Sequence, residues 1–158
     1  QDNLEKAADV TALLKKSGML LLSKVGGASG PLYGSFFIKM GKDDAGKEAV
    51  SFPEFAGMLK NGVAAVQQRG KAEIGDKTMI DALQPGIEYL EAHKNDDDPV
   101  AVMEETVSIM KQGAESTIPL IAKKGRAMRL GERAVGHKDP GSESSWMLMN
   151  VFLEEMKK

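Results

Sequence analysis

The chain has 158 residues, a mass of 17.0 kDa and no cysteine, which excludes disulfide frameworks, thiolate metal sites and cysteine nucleophiles. With 21 Lys and Arg against 23 Asp and Glu, the net charge of −2 gives no electrostatic reason to expect nucleic acid or an acidic membrane as partner. No run approaches the ~18 apolar residues of a membrane span, and the first residues lack the basic and apolar blocks of a signal peptide.

Leu4 to Val25 reads as a helix. Ala7, Leu14, Leu21 and Val25, with Val10, Leu13 and Leu20, recur at helical spacing, and Lys15, Lys16 and Lys24 form the polar side. Asp2 or Asn3 is the expected cap and Gly26-Gly27 the stop. A second helix is expected from near Pro31 to Gly41, carrying Leu32, Phe36, Phe37 and Met40. Beyond a polar loop over 41–50, Ser51-Phe52-Pro53-Glu54 has capping-box spacing, and a third helix should reach Gln68, with Gly70 as its stop. Thr78 and Asp81 repeat that spacing at the head of a fourth helix, which should run to about Lys94 across Pro85. Asp98-Pro99 opens a fifth, Val100 to about Lys123, which must accommodate Pro119. Residues 124–143 read as a long glycine-punctuated loop, and Ser145 to Lys158 as the last helix. No run alternates cleanly over five residues. The expected class is therefore all-α, an antiparallel bundle of about six helices forming one domain over residues 1–158.

Glycines concentrate between these helices, and three such places could carry chemistry. Val25-Gly26-Gly27-Ala28-Ser29-Gly30-Pro31 joins two helices. A turn whose N–H groups converge ahead of a helix N-terminus can hold an anion, and Ser29 adds a hydroxyl. The alternative is a tight turn that needs glycine only for its backbone angles. The pattern matches neither GxxxxGK[ST] nor GxGxxG. At Gly75-Asp76-Lys77-Thr78, Lys77 could meet a phosphate or be a solvated lysine beside a cap. Lys123, Lys124, Arg126, Arg129 and Arg133 crowd the long loop. They suit a mobile lid over a phosphorylated ligand, a nucleic-acid patch or a merely solvated loop. The net charge and the absence of interleaved aromatics count against nucleic acid. Asp96-Asp97-Asp98 lacks the glycine and distal glutamate of a calcium loop and reads as a turn and cap. His93 reads as a helix-end residue, and His137 as a structural hydrogen bonder rather than a catalyst.

Three blocks together resemble the L-type, nucleotide-binding subunit family of dihydroxyacetone kinases. They are Ser23 to Gly34 (SKVGGASGPLYG), Arg69-Gly70-Lys71-Ala72 with Gly75 to Met79, and Lys124 to Arg133 with Gly136-His137 and Asp139-Pro140-Gly141. Their order and spacing match along essentially the whole chain. The resemblance departs at Met128 and Arg129, where Ser-Tyr is usual.

The resemblance implies an eight-helix barrel holding ADP or ATP with magnesium. It implies a phosphoryl group passed to dihydroxyacetone on a separate K-type subunit. In the phosphotransferase-system-dependent form, which a short separate chain suggests, a phosphocarrier protein recharges bound ADP in place. Carried over position by position, Gly27, Ala28, Ser29 and Gly30 would contact phosphate. Gly70 and Met79 would border base and sugar, Arg126 would act on the phosphoryl group in flight, and Asp139, Pro140 and Gly141 would close around the nucleotide. No residue here matches the family's magnesium aspartates, which precede the first block. With Gln1 in place of an initiator Met, the native chain is expected to be longer by on the order of 50 residues, about two helices. A cytoplasmic location, no membrane and no nucleic-acid partner are expected. The resemblance leaves room for the nucleotide domain of an ATP-dependent dihydroxyacetone or fatty-acid kinase, and for a nucleotide sensor that docks on a transcription regulator.

Overall fold

The computed structural model describes residues 7–158, and every regular element among them is helical. In chain order these are α1 (Val10–Lys24), α2 (Ser29–Met40), α3 (Phe52–Gly70), α4 (Ile80–His93), α5 (Pro99–Ser116), a 3-10 segment (Arg126–Ala134) and α6 (Pro140–Met156). The all-α expectation holds. The elements fall into two compact units, one ending at Lys71 and one spanning Ala72–Lys158. Among the described residues, no helix is long and apolar enough to cross a membrane.

In the first unit α2 packs on both α1 and α3. The Asp2 and Asn3 caps and the Leu4 start lie outside the described residues, but residues 7–9 are not helical and α1 begins at Val10. Its cap is Asp9, whose carboxylate accepts the amides of Ala12 at 2.6 Å and Gly46 at 2.9 Å. One side chain thus starts the helix and ties down the 41–50 loop. Helices α1 and α2 cross at two glycines. A Cβ on Gly18 would sit 2.7 Å from the Gly34 carbonyl, and a Cβ on Gly34 2.9 Å from the Gly18 carbonyl. Either addition would push the backbones apart. On the other side of α2, Phe36 and Met40 are buried with Leu59, Val63 and Val66 of α3. The expected Ser51–Glu54 capping box is present, with both of its bonds made. The Lys47 ammonium adds bonds to Asp44 at 2.6 Å and Glu54 at 2.7 Å, and with the Ser51 bonds it holds the Glu54 carboxyl down at about 2.

In the second unit α4, α5 and α6 pack mutually around Ile80, Leu83, Leu90, Met103, Met110, Met149 and Leu153. Pro85 lies inside α4 and, having no N–H, leaves the Asp81 carbonyl without its usual helical donor. That carbonyl abuts α5 at a residue without a side chain, since a Cβ on Gly113 would be 2.2 Å from it.

Two further helix bounds differ from expectation. Helix α5 ends at Ser116 and does not reach Lys123, because Pro119 disfavours helical backbone ahead of it. The Thr117 hydroxyl takes over the end, donating to Ala114 O at 2.6 Å. Helix α6 starts at Pro140 and not Ser145, with Asp139 capping Ser142 at 2.7 Å. Ser142, expected in the loop, and Ser145, expected as the first helical residue, are both buried, and their hydroxyls donate to the carbonyls of Asp139 and Gly141. The remaining loop holds the 3-10 segment, bent at Gly131.

Candidate functional site

The first candidate is the turn between α1 and α2. Val25 still donates to Leu21 O at 3.0 Å, and the chain then reverses at Gly27, whose φ of 73° is left-handed and suits glycine. Gly30 is buried, and a Cβ there would lie 2.0 Å from the Val25 carbonyl. Only glycine therefore lets α2 begin this close to the end of α1. Among the described residues, the amides of Gly26 to Gly30 donate to no protein acceptor, and Ala28 caps α2 without a side-chain bond. Ser29, the first residue of α2, is exposed. These are unpaired amides at the positive end of a helix dipole beside a free hydroxyl, the arrangement an anionic phosphate needs. In the same unit a cavity of about 360 Å³ is lined by Leu22, Ser35, Ile38, Lys39, Ala65, Gln68 and Arg69. Gly70 ends α3 with Leu32 at 3.6 Å from where its Cβ would be, so nothing steric demands glycine there.

The second unit gathers another set. Met79 is buried at the head of α4, and Gly141 is in the first turn of α6. A Cβ on Gly141 would lie 2.9 Å from an Asp139 carboxylate oxygen and 3.3 Å from Met79 Cβ. Met79, Asp139 and Gly141 are thus neighbours, and Pro140 sits exposed beside them. Burial pushes the Asp139 carboxyl up from its ordinary value, and the nearby Asp81 charge adds to this. The amides of Ser142 and Gly141 and the Lys77 charge pull the other way. Arg126 opens the 3-10 segment directly after Gly125 and is exposed. Arg126, Arg129, Arg133 and Lys124 make no ion pair among the described residues, so this segment carries uncompensated positive charge. Lys123 lies 3.8 Å from Asp76.

Lys77 departs from both expectations. It is neither solvated nor available to a phosphate, being 3% exposed with its ammonium turned onto backbone carbonyls. Asp81 makes half of a capping box and more, accepting the amides of Gly75 at 2.6 Å and Thr78 at 2.7 Å. The Lys77 contacts have no local sequence signal, because the partners are 40 to 60 residues away, whereas the bond of Asp81 to the Thr78 amide is the one their box spacing announces. Asp98 caps α5 at Ala101, as its spacing suggests. His93 stacks on Tyr89 with ring centroids 4.0 Å apart, and His137 is exposed. Lys138 bridges Glu115 and Glu143 at 2.5 and 2.7 Å, joining α5 to the start of α6. Among the described residues, no group of three or more His, Asp or Glu is placed to hold a metal ion.

Comparison with known proteins gives a consistent result. The DAK2 domain model matches residues 1–154. The chain is 64% identical over 155 residues to the ADP-binding subunit DhaL of PEP-dependent dihydroxyacetone kinase 2 of Listeria innocua, covering 98% of this chain and 72% of that protein. It is 45% identical to the corresponding Escherichia coli subunit, covering 91% of this chain and 69% of the other. The ADP-binding subunit DhaL of a PTS-dependent dihydroxyacetone kinase from Lactococcus lactis is 40% identical, with 92% and 68% covered. Among solved structures, the dihydroxyacetone kinase of C. freundii in complex with AMP-PNP and Mg2+ aligns with a TM-score of 0.68 at 27% identity. That alignment covers 93% of this chain and 23% of the C. freundii chain.

Proposed function

Because the chain belongs to the DAK2 domain family, we propose that it is the ADP-binding subunit of a phosphotransferase-system-dependent dihydroxyacetone kinase, working in the cytoplasm. The observation that carries this reading is the α1–α2 turn, with its unpaired amides from Gly26 to Gly30 at a helix N-terminus. When bound, the nucleotide supplies the phosphoryl group that passes to dihydroxyacetone on a K-type subunit, and ADP regains one from a phosphocarrier protein. Docking on a transcription regulator is a second role compatible with the same nucleotide site.

In the first unit, the amides of Gly27, Ala28, Ser29 and Gly30 and the Ser29 hydroxyl take phosphate oxygens, and Gly70 borders the nucleoside. In the second unit, Met79 borders base or sugar. Asp139, Pro140 and Gly141 form the closing segment. Arg126 stabilises charge on the transferring phosphoryl group, where a planar fork is better matched than a point charge. Phosphoryl transfer depends on positioning and charge stabilisation, so no residue of this chain is required as a general base. The described residues offer no carboxylate cluster fitted to magnesium, so none of them is assigned to metal.

Denaturing the purified full-length subunit and identifying what it releases tests this reading. Stoichiometric ADP is expected, together with phosphorylation of dihydroxyacetone only when K-type subunit and phosphocarrier are supplied. A preparation that neither releases nor binds adenine nucleotide would overturn it.

A further inference from the structure

Lys77 is the one buried cation among the described residues, and no proposed step uses it. Its Nζ donates to Thr117 O at 2.8 Å, Ala134 O at 2.7 Å and His137 O at 2.7 Å, with Ile118 O further off at 3.4 Å. An ammonium has three N–H bonds, and three short acceptors use all of them. The acceptors come from three separate places: the turn after α5, the end of the 3-10 segment, and the stretch leading to Asp139. Backbone bonds hold the same places together, since Gly136 donates to Ile118 O at 2.8 Å and the Asp139 amide to Thr117 Oγ1 at 2.8 Å. Ala134 is the buried residue of the 3-10 segment, and its carbonyl is among those that Lys77 holds.

The geometry on the other side is equally specific. Lys77 has φ 60°, a left-handed conformation unfavourable for a side-chain-bearing residue. The Asp81 carboxylate enforces it by accepting the amides of Gly75 and Thr78 on either side. The chain is bent over Asp81 so that residue 77 points inward. The positive charge then lies near the buried Asp139 carboxylate.

We propose that Lys77 is a positioning residue that sets the Arg126–Ala134 segment and the His137–Gly141 segment on the head of α4. This rests on reading Met79, Arg126 and Asp139 to Gly141 as nucleotide-binding. The ammonium is the common anchor of all three, and none of them touches it through a side chain that the ligand would need. A lysine is required because three carbonyls converge on one point, which a compact three-donor head satisfies and a planar guanidinium does not.

The test uses the full-length subunit, with ADP as the probe. Lys77→Met keeps the stem and removes the donors. It is expected to weaken ADP binding at least tenfold by calorimetry and to speed amide exchange over 126–141, with exchange in α1–α3 unchanged. Lys77→Arg keeps the charge and is expected to lose five- to tenfold in ADP affinity while still melting cooperatively. Either variant, folded and binding ADP within twofold of wild type, overturns the proposal. Native-state hydrogen exchange on the wild type judges it without any variant. Protection at 76–81, 117–118 and 134–141 is expected to fail at one shared opening free energy, and separate openings overturn it. If wild type does not bind ADP, the functional reading fails while the exchange result still decides the anchor.

Discussion

Arg126 and Asp139 lie in the same unit but in opposite environments, and each makes its own prediction. Arg126 is exposed and makes no ion pair among the described residues, so its substitution is expected to leave the fold alone and to act on the proposed chemistry. Arg126→Lys keeps the charge but loses the two-pronged geometry. Turnover in the reconstituted kinase is expected to fall by about 10-fold or more, short of the ~10²–10³ of losing a preorganised donor outright because the charge remains, while ADP affinity changes by less. Equal losses in both would remove Arg126 from the transferring group. Asp139 is buried, and its carboxyl is raised above the ordinary 3.8, chiefly by desolvation. Folding therefore favours its protonated form. That contribution is fully present below the unfolded value and is lost as pH rises through the higher native one. Asp139→Asn keeps an oxygen for the Ser142 amide and removes the charge. Urea unfolding from pH 3.5 to 7 is expected to show wild type losing ground to the variant as pH rises, then levelling off. A gap that moves the other way contradicts the burial effect. The sequence displayed Arg126 and Asp139 through neighbouring glycines and a proline. It could not display Lys77, whose carbonyl partners carry no residue-type signature.

Helix positions were legible wherever a cap and a periodic face agreed. The Ser51–Glu54 box and the Asp98-Pro99 start appear where their spacing places them. Ser51→Ala removes the acceptor for the Glu54 amide and should cost about 1 kcal/mol, as caps usually do. Urea denaturation followed by circular dichroism measures it, and no change would mean that Lys47 and Glu54 hold the end unaided. Bounds were misread where apolar periodicity was followed past a stronger local signal. Val10 to Val25 keeps its rhythm backwards through Ala7 and Ala8, yet Asp9 has captured two amides and ends it. Ser142, read as part of the long loop, and Ser145, read as the helix start, return their hydroxyls to the carbonyls of Asp139 and Gly141, which removes the usual cost of burying them. The long loop hid a 3-10 segment because such turns need no repeating apolar face.

For the molecule as a whole, helical periodicity without strand alternation was enough to read the class, and the charge balance gave no reason to expect a polyanion. What the whole chain does was legible through three glycine-bearing blocks and not through any single motif. Family membership supports the ligand proposed for those blocks, and geometry gives the first of them a close-packed frame. The contact of Gly18 with Gly34 brings the α1 and α2 backbones close together, with the Ile38 and Leu22 side chains packed against the two glycines. Helices seated that closely cannot widen the bend between them by switching rotamers, so the whole of one would have to slide along the other. Its amide array is preorganised by folding, so a diphosphate bound there as proposed would have little loop entropy left to surrender. Its departure would be slowed in turn, since affinity gained this way appears mainly as residence time. Such kinetics suit a nucleotide kept through successive phosphorylation cycles better than one exchanged with solvent at every turnover.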